Sequence, residues 1–347
     1  MSNSWSRREF LKTSAALGSA LPLLGAGLAP SAQAAEKKVY KTKLYKSCSL
    51  RVKTAKVIIE EAAKCGYDGV ETWDWDIERA QALEVRAIAK ANGLRVQSAT
   101  RGWARFNMPE AQNEDIETVK KALRNAAAYG ADALLLVPCR IAEKGVLPAC
   151  NFKIDFDPKT CMIRSVVDGD NAPYQEYIRL HNESTKATIA CVEKLIPTAE
   201  AEGVVIALEN VWNNLWVLPE LAAALIRSFN NKWVKGYLDL GNNCKYAPVP
   251  RWVKAFGKDL IAKMHIKDFL INTERNNGGD FVPIGQGSID WIAVRDALEE
   301  AGVDGFISTE DVPHYSLAEH VKIMDLFIEG RLTKEAANAV KPFEFKK

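Results

Sequence analysis

Val204-Val205-Ile206-Ala207-Leu208-Glu209, Gly236-Tyr237-Leu238-Asp239, Ile261-Ala262-Lys263-Met264-His265 and Phe306-Ile307-Ser308-Thr309-Glu310 share one design: a short, largely apolar run that ends on a residue able to bind a hard metal ion. Each reads as a buried strand, because it is brief and is followed by turn chemistry or a helical pattern. A carboxylate or imidazole at the last buried position of a strand is costly without a partner. Four such positions on four successive strands serve as one another's partners only if the strands converge and something positive sits among them.

Working outward, the rest of the chain repeats the alternation. Strand-like runs at Leu44–Cys48, Tyr67–Thr72, Leu94–Ala99 and Ala133–Val137 are separated by helical patterns at Thr54–Lys64, Ala82–Ala91 and Glu114–Tyr129, which stop at Gly66, Asn92-Gly93 and Gly130. Residues 139–180 break the rhythm. That segment is too long for an ordinary connection and too rich in Phe152, Ile154, Phe156, Ile163 and Val166 for disorder, so it reads as a hairpin-bearing lid or interface insertion. A long helix over Asn182–Glu202 restores the pattern. It continues through Val204–Glu209, Leu218–Phe229, Val234–Asp239, Arg251–Phe256, Ile261–Ile266, a second long loop over Phe269–Gly287, Asp290–Ala301, Gly305–Glu310 and Leu317–Ile328. Eight strand-helix units in strict order predict parallel pairing with right-handed crossovers, and eight strands close a barrel. The α/β class is therefore a (β/α)8 TIM barrel, a single domain over residues 35–347 with an insertion after strand four. No Gly-rich phosphate fingerprint follows an early strand, which argues against an open doubly wound sheet.

Residues 1–34 are set apart. Ser6-Arg7-Arg8-Glu9-Phe10-Leu11-Lys12, a weakly apolar run to Ala29 and the small-x-small site Ala32-Gln33-Ala34 resemble a twin-arginine export signal. The resemblance implies folding and metal loading before export to the periplasm by the twin-arginine machinery. Cleavage after Ala34 removes Arg7, Arg8 and Lys12 but only one acid, Glu9, so the formal charge of +2 falls to zero. No basic footprint for nucleic acid remains. Beyond the signal no apolar run is long enough to span a bilayer. The seven cysteines show no zinc spacing. Cys65 and Cys191 sit in helical patterns as small hydrophobes. Cys150 and Cys161 are close in sequence, but the turn Asp157-Pro158-Lys159-Thr160 would set Cys161 opposite Phe156, away from Cys150.

Period-two alternation aims Val205, Ala207 and Glu209 along one face, and the same counting turns Asp239, His265 and Glu310 inward at the carboxyl ends of their strands, where barrel active sites lie. Singly, each has a structural use as a strand-end charge, a helix cap, a core histidine or an ion-pair partner. Together, three acids and an imidazole in one barrel mouth would repel and desolvate one another without a cation. The oxygen-rich donor set suits Mn²⁺, Co²⁺ or Mg²⁺ better than a structural zinc, although Zn²⁺ stays open.

Leu-Glu-Asn-Val-Trp-Asn (208–213), Tyr-Leu-Asp-Leu-Gly-Asn (237–242), Met-His-Ile-Lys-Asp-Phe (264–269), Pro-Ile-Gly-Gln-Gly-Ser-Ile-Asp-Trp (283–291) and Ser-Thr-Glu-Asp (308–311) resemble the sugar phosphate isomerase/epimerase family of xylose-isomerase-like barrels. That superfamily also holds ketose 3-epimerases, inosose dehydratases and an endonuclease branch. The resemblance implies a metal quartet of Glu209, Asp239, His265 and Glu310, with Glu209 and Glu310 also acting as catalytic base and acid on opposite faces of the substrate carbon. A divalent ion, Mn²⁺ first, that chelates a ketone and the adjacent hydroxyl would stabilise the enediolate formed by proton removal. Asn242 departs from the branches that carry histidine there, and with only four histidines in the chain the trinuclear site of the endonuclease branch lacks ligands.

Lys267 shares parity with His265 and is a candidate to bind a substrate oxygen. Glu71, Trp73, Trp75, Trp103, Trp212 and Asn213, at or after strand ends, are candidates to line a sugar pocket, whereas Asn210 and Asp268 suit ligand orientation or loop capping. The expected partner is a small sugar or polyol; a homo-oligomer is compatible with the sequence, which sets no stoichiometry. The reading is a metal-dependent sugar isomerase or epimerase. Its alternatives are a lyase or dehydratase acting on an inosose or 3-keto-glycoside, and a sugar-binding protein without turnover.

Overall fold

The computed structural model describes residues 38–141, 152–275, 278–310 and 315–342. Residues 1–34, read from the sequence as an export signal, and Cys150 lie outside them. Eight strands form a closed barrel: β1 (Leu44–Leu50), β2 (Gly69–Thr72), β3 (Arg95–Trp103), β4 (Ala133–Val137), β7 (Val205–Leu208), β8 (Val234–Asp239), β9 (Ile261–Ile266) and β12 (Gly305–Thr309). Their order around the barrel is β1-β12-β9-β8-β7-β4-β3-β2, and every neighbouring pair runs parallel. The eight-stranded parallel barrel with alternating helices is the fold read from the sequence. Among the described residues no helix is long and apolar enough to cross a membrane.

Two apolar cores follow from strand alternation. Outward residues such as Val70, Leu134, Leu136, Ile206, Leu238 and Ile307 pack against the surrounding helices. Inward residues Ala133, Leu135, Val137, Ala207 and Tyr237 form a second, smaller core inside the barrel. The helices end as their sequences require. Gly66 and Gly203 close the helices Ala55–Cys65 and Gln175–Glu202 in the left-handed conformation, at φ 92° and 67°.

Three elements differ from the expectation. Strand β3 runs on to Trp103, with register shifts against both neighbours. One shift sets Ser98, rather than Gln97, opposite Glu71, so that Gln97 is an extra residue between Val96 and Ser98. The stretch read as a loop over Phe269–Gly287 contains an antiparallel hairpin, β10 (Asp268–Ile271) with β11 (Gly279–Val282), too short to declare itself by alternation. A last helix, Lys334–Val340, follows the Thr333 cap. In the insertion, β5 (Asp155–Phe156) and β6 (Ile163–Ser165) form the expected hairpin, and Cys161 in its turn is buried with a free thiol. Cys191 is buried and Cys65 half-buried.

Candidate metal centre

Glu209, Asp239 and His265 reach the same point from β7, β8 and β9, each offering one ligand atom within 4.8 Å of the others, and all three are buried. Glu310, just beyond β12, brings its Oε2 to 3.5 Å from His265 Nδ1, and Asp239 Oδ2 lies 3.7 Å from that nitrogen. The structure thus gathers all four strand-end residues at one end of the barrel.

Side chains around the cluster hold it in place. Asn242 donates its side-chain amide to Glu209 Oε1 at 3.1 Å and to Asp239 Oδ2 at 2.9 Å. Its backbone N–H donates to Asp239 Oδ1 at 2.6 Å, because Asp239 caps the short helix Leu240–Asn243. The asparagine that departs from the family's histidine therefore bridges two of the acids. Lys267 lies 2.9 Å from Asp239 Oδ2 and also pairs with Glu310. Rather than a solvated surface lysine, it is an almost buried cation inside the cluster. Little room is left for a change behind it: a Cβ added at Gly241 would stand 2.4 Å from Lys267 Cγ.

Glu71 is the main correction. Expected to line the sugar pocket, it is completely buried, with both carboxylate oxygens in use. Oε1 lies 2.9 Å from His265 Nε2, and Oε2 accepts from Ser98 Oγ at 2.6 Å and from the Tyr237 hydroxyl. A carboxylate only accepts, so Nε2 carries the proton and Nδ1 is turned toward the acids. Burial works against the Glu71 charge, but His265 outweighs it and holds the carboxyl below its ordinary range. Asn213 is also corrected. It is fully buried, donating to Cys139 O at 3.0 Å and accepting from Leu215 N at 2.9 Å, and it shapes the loop after β7 instead of facing substrate. That loop is unusual, with Val211, Asn214 and Trp216 all at positive φ (41°, 62° and 51°). Asp268 is a loop clamp, accepting from Gly285 N, Gly287 N and Trp291 Nε1, each at 2.9 Å.

The tryptophans divide. Trp73 and Trp103 stay beyond β2 and at the end of β3 with an arginine over each ring, Arg51 at 5.8 Å and Arg140 at 5.5 Å; Trp75 carries Arg101 at 4.4 Å. Trp212 alone is tied to the metal cluster, through Nε1 donating to Asn242 O at 3.1 Å. Tyr237 and Ser98, the partners of Glu71, were not singled out from sequence. Parity offered a signal for Tyr237, two residues before Asp239, but none for Ser98, whose inward position follows the β3 register shift.

The donor set fits a divalent ion. His265 Nδ1 is buried without a hydrogen-bond partner. Were Glu209, Asp239 and Glu310 all ionised and His265 neutral, as ligands to an ion must be, the three carboxylates would exceed the Lys267 ammonium by two charges; without an ion that excess is relieved by protons. Burial first, then Asp239 and Glu310, push the Glu209 carboxyl up to about 8. Burial opposes charge on His265, yet the carboxylates of Glu71, Glu310 and Glu209 outweigh it and raise its pKa to about 10. A group of acids this deep calls for positive charge, and a dication would supply it, held by the imidazole nitrogen and the carboxylate oxygens in place of the protons.

The chain belongs to the xylose isomerase-like TIM barrel family, whose profile matches residues 59–327. Among curated proteins it is 27% identical over 143 residues to the uncharacterized protein MJ1311 of Methanocaldococcus jannaschii, a match covering 40% of this chain and 47% of that relative, so the chain spans about half of its length. Among solved structures it is similar to the 3-keto-D-glucoside 4-epimerase of E. coli, at TM-score 0.58 and 16% identity over 86% of this chain and 99% of the other. It is also similar to the IOLI protein with a bound zinc atom, at TM-score 0.58 and 18% identity over 85% and 96% of the two chains. At those identities the likeness is one of fold.

Proposed function

We propose that this protein is a divalent-metal-dependent sugar isomerase or epimerase that works by removing a proton next to a carbonyl. One observation carries the reading: side chains from four separate strands converge at one end of the barrel, leaving a buried imidazole nitrogen unpartnered among three carboxylates. Glu209, Asp239, His265 and Glu310 would hold the ion, which when bound supplies Lewis-acid polarisation of a carbonyl. Glu209 and Glu310 belong to strands separated by β8 and β9, so they approach a bound carbon from different sides, as proton removal on one face and return on the other requires. Lys267 places an ammonium between Asp239 and Glu310, where it can orient a substrate hydroxyl. Glu71 holds the imidazole by Nε2, which leaves Nδ1 turned toward the carboxylates where it would serve as a ligand. The 3-keto-D-glucoside 4-epimerase among the fold neighbours supports an enzyme of this superfamily acting on a small sugar. On the reading of residues 1–34 as a twin-arginine signal the work lies in the periplasm, and the oxygen-rich donor set puts Mn²⁺ first among the candidate ions.

The test is elemental analysis of the purified protein, followed by turnover in deuterium oxide with a panel of ketoses and keto-glycosides. About one divalent ion per chain with deuterium entering at the carbon beside the carbonyl is expected. Released water or leaving group would move the assignment to a lyase, and no exchange with any sugar would leave a binding protein.

A further inference from the structure

Three aromatic rings stand beside the acids and take no part in the chemistry above. Trp212 stacks on Phe281 with centroids 5.1 Å apart and planes inclined by 15°. Phe269 packs edge-on against both, at 5.3 and 5.2 Å, and faces Phe281 directly across the β10–β11 hairpin. The group is tied to the metal centre at two points. Trp212 is bonded to Asn242, whose amide in turn holds Glu209 and Asp239. Lys267, paired with Asp239 and Glu310, has its Nζ 5.2 Å from the centre of the Phe281 ring. Phe269 is buried, yet Phe281 keeps 40% of its surface exposed. The result is an exposed phenyl ring, braced by two aromatic partners, next to the most polar point of the barrel: an apolar platform formed in advance beside a few placed polar groups.

We infer that Phe281, backed by Trp212, is a specificity residue that receives the C–H face of a ring-closed keto sugar. The reason is shape. A pyranose or cyclitol ring gathers C–H bonds on a flat face that can lie on an aromatic ring, with its hydroxyls left on the edge; an open-chain ketose carries hydroxyls on every side and has no such face. The inference rests on the metal-dependent sugar reading and narrows it. The reacting ketone sits within a ring, as in a keto-pyranoside or an inosose, with its polar edge toward Lys267 and the carboxylates and its apolar face on Phe281.

The experiment compares two non-reacting probes of the same carbon skeleton, methyl glucopyranoside and glucitol, by titration calorimetry on the full-length, metal-loaded protein. The ring-closed probe should bind at least roughly 5-fold more tightly. Phe281→Ala and Phe281→Leu should remove that preference by weakening the glucopyranoside alone, and Phe281→Trp should keep it. Leucine retains apolar bulk on the hairpin, so its loss of preference reports the missing ring rather than a misfolded loop. Equal affinity for the two probes, no measurable binding of the glucopyranoside, or a preference that survives Phe281→Ala overturns the inference. None of these readouts needs turnover, so failure here leaves the deuterium-exchange result untouched, and absence of exchange leaves this comparison decisive.

Discussion

The barrel carries a cluster of charges at each end, and the two are built on opposite terms. At the amino-terminal end Asp132, just before β4, meets two cations, Lys263 and Arg95, each at 2.7 Å, and both cations also lie near the Phe306 ring, at 5.2 and 5.6 Å. The acid there is outnumbered and its side chain is 49% exposed. At the carboxyl-terminal end three carboxylates share one lysine, and Asp239 and His265 are wholly buried. In the first cluster the one acid is fully paired, and the surplus cation, Arg95, is half in solvent, where its charge needs no further partner. The second is short of positive charge whenever its acids are ionised, and holds protons in its place. Charge balance, rather than the mere presence of buried charge, separates a structural cluster from a reactive one.

That contrast can be broken by substitution. The largest effect is expected from Asp239→Ala or His265→Ala, either of which should weaken metal binding by roughly 10²–10³-fold, read by competition with a chelator. Lys263→Ala at the other end should leave metal affinity at the wild-type value. Glu71→Gln comes next. It keeps a side chain of the same size but makes the partner of His265 Nε2 neutral, and metal affinity should fall roughly 10–100-fold, with little change in the thermal midpoint of the metal-free protein. An unchanged affinity would make Glu71 only a buried core group.

Stability should respond in opposite directions at the two ends. Lys263→Ala leaves Asp132 with Arg95 alone and should cost about 1–3 kcal/mol in urea unfolding. Glu209→Gln removes one acid from the crowded end and, above the pH of about 8 at which that acid ionises, should raise the thermal midpoint of chelator-treated protein by roughly 2 °C; a drop of that size would mean the acids are balanced without an ion. The smallest effect concerns pH. Burial raises the Asp132 carboxyl, but Lys263 and then Arg95 outweigh it and hold it below the usual range. A depressed acid contributes stability above its unfolded value and loses it as pH falls through the folded one. Asp132→Asn should therefore lower the urea midpoint near neutrality and flatten its fall below about pH 4, where the wild-type carboxyl gains a proton as well.

The convergence of the four residues was legible because each closes its own strand. Parity within a run of five or six residues settles which way Glu209, Asp239, His265 and Glu310 point, and the repeated unit settles that their ends meet. Glu71 shows the limit. It also ends an apolar strand, and its sequence is as suited to a pocket wall as to a buried brace. Its partner His265 is 194 residues away on a strand that is not its neighbour, so their contact exists only across the closed interior. Asn213 failed for a related reason: its bonds run to Cys139 and Leu215 within a loop of left-handed residues whose path no local pattern announces. Phe281 was hidden in a stretch read as a loop.

By itself the sequence determined the closed eight-stranded barrel, the inward faces of its strands and the four residues at their ends, because alternation and strand length are local properties that repeat. Only the tertiary structure decided that Glu71 braces the imidazole, that Asn242 and Lys267 enter the acid cluster, and that Trp212 and Phe281 form one platform. Those contacts depend on barrel register and hairpin pairing, which bring together side chains with no fixed spacing along the chain.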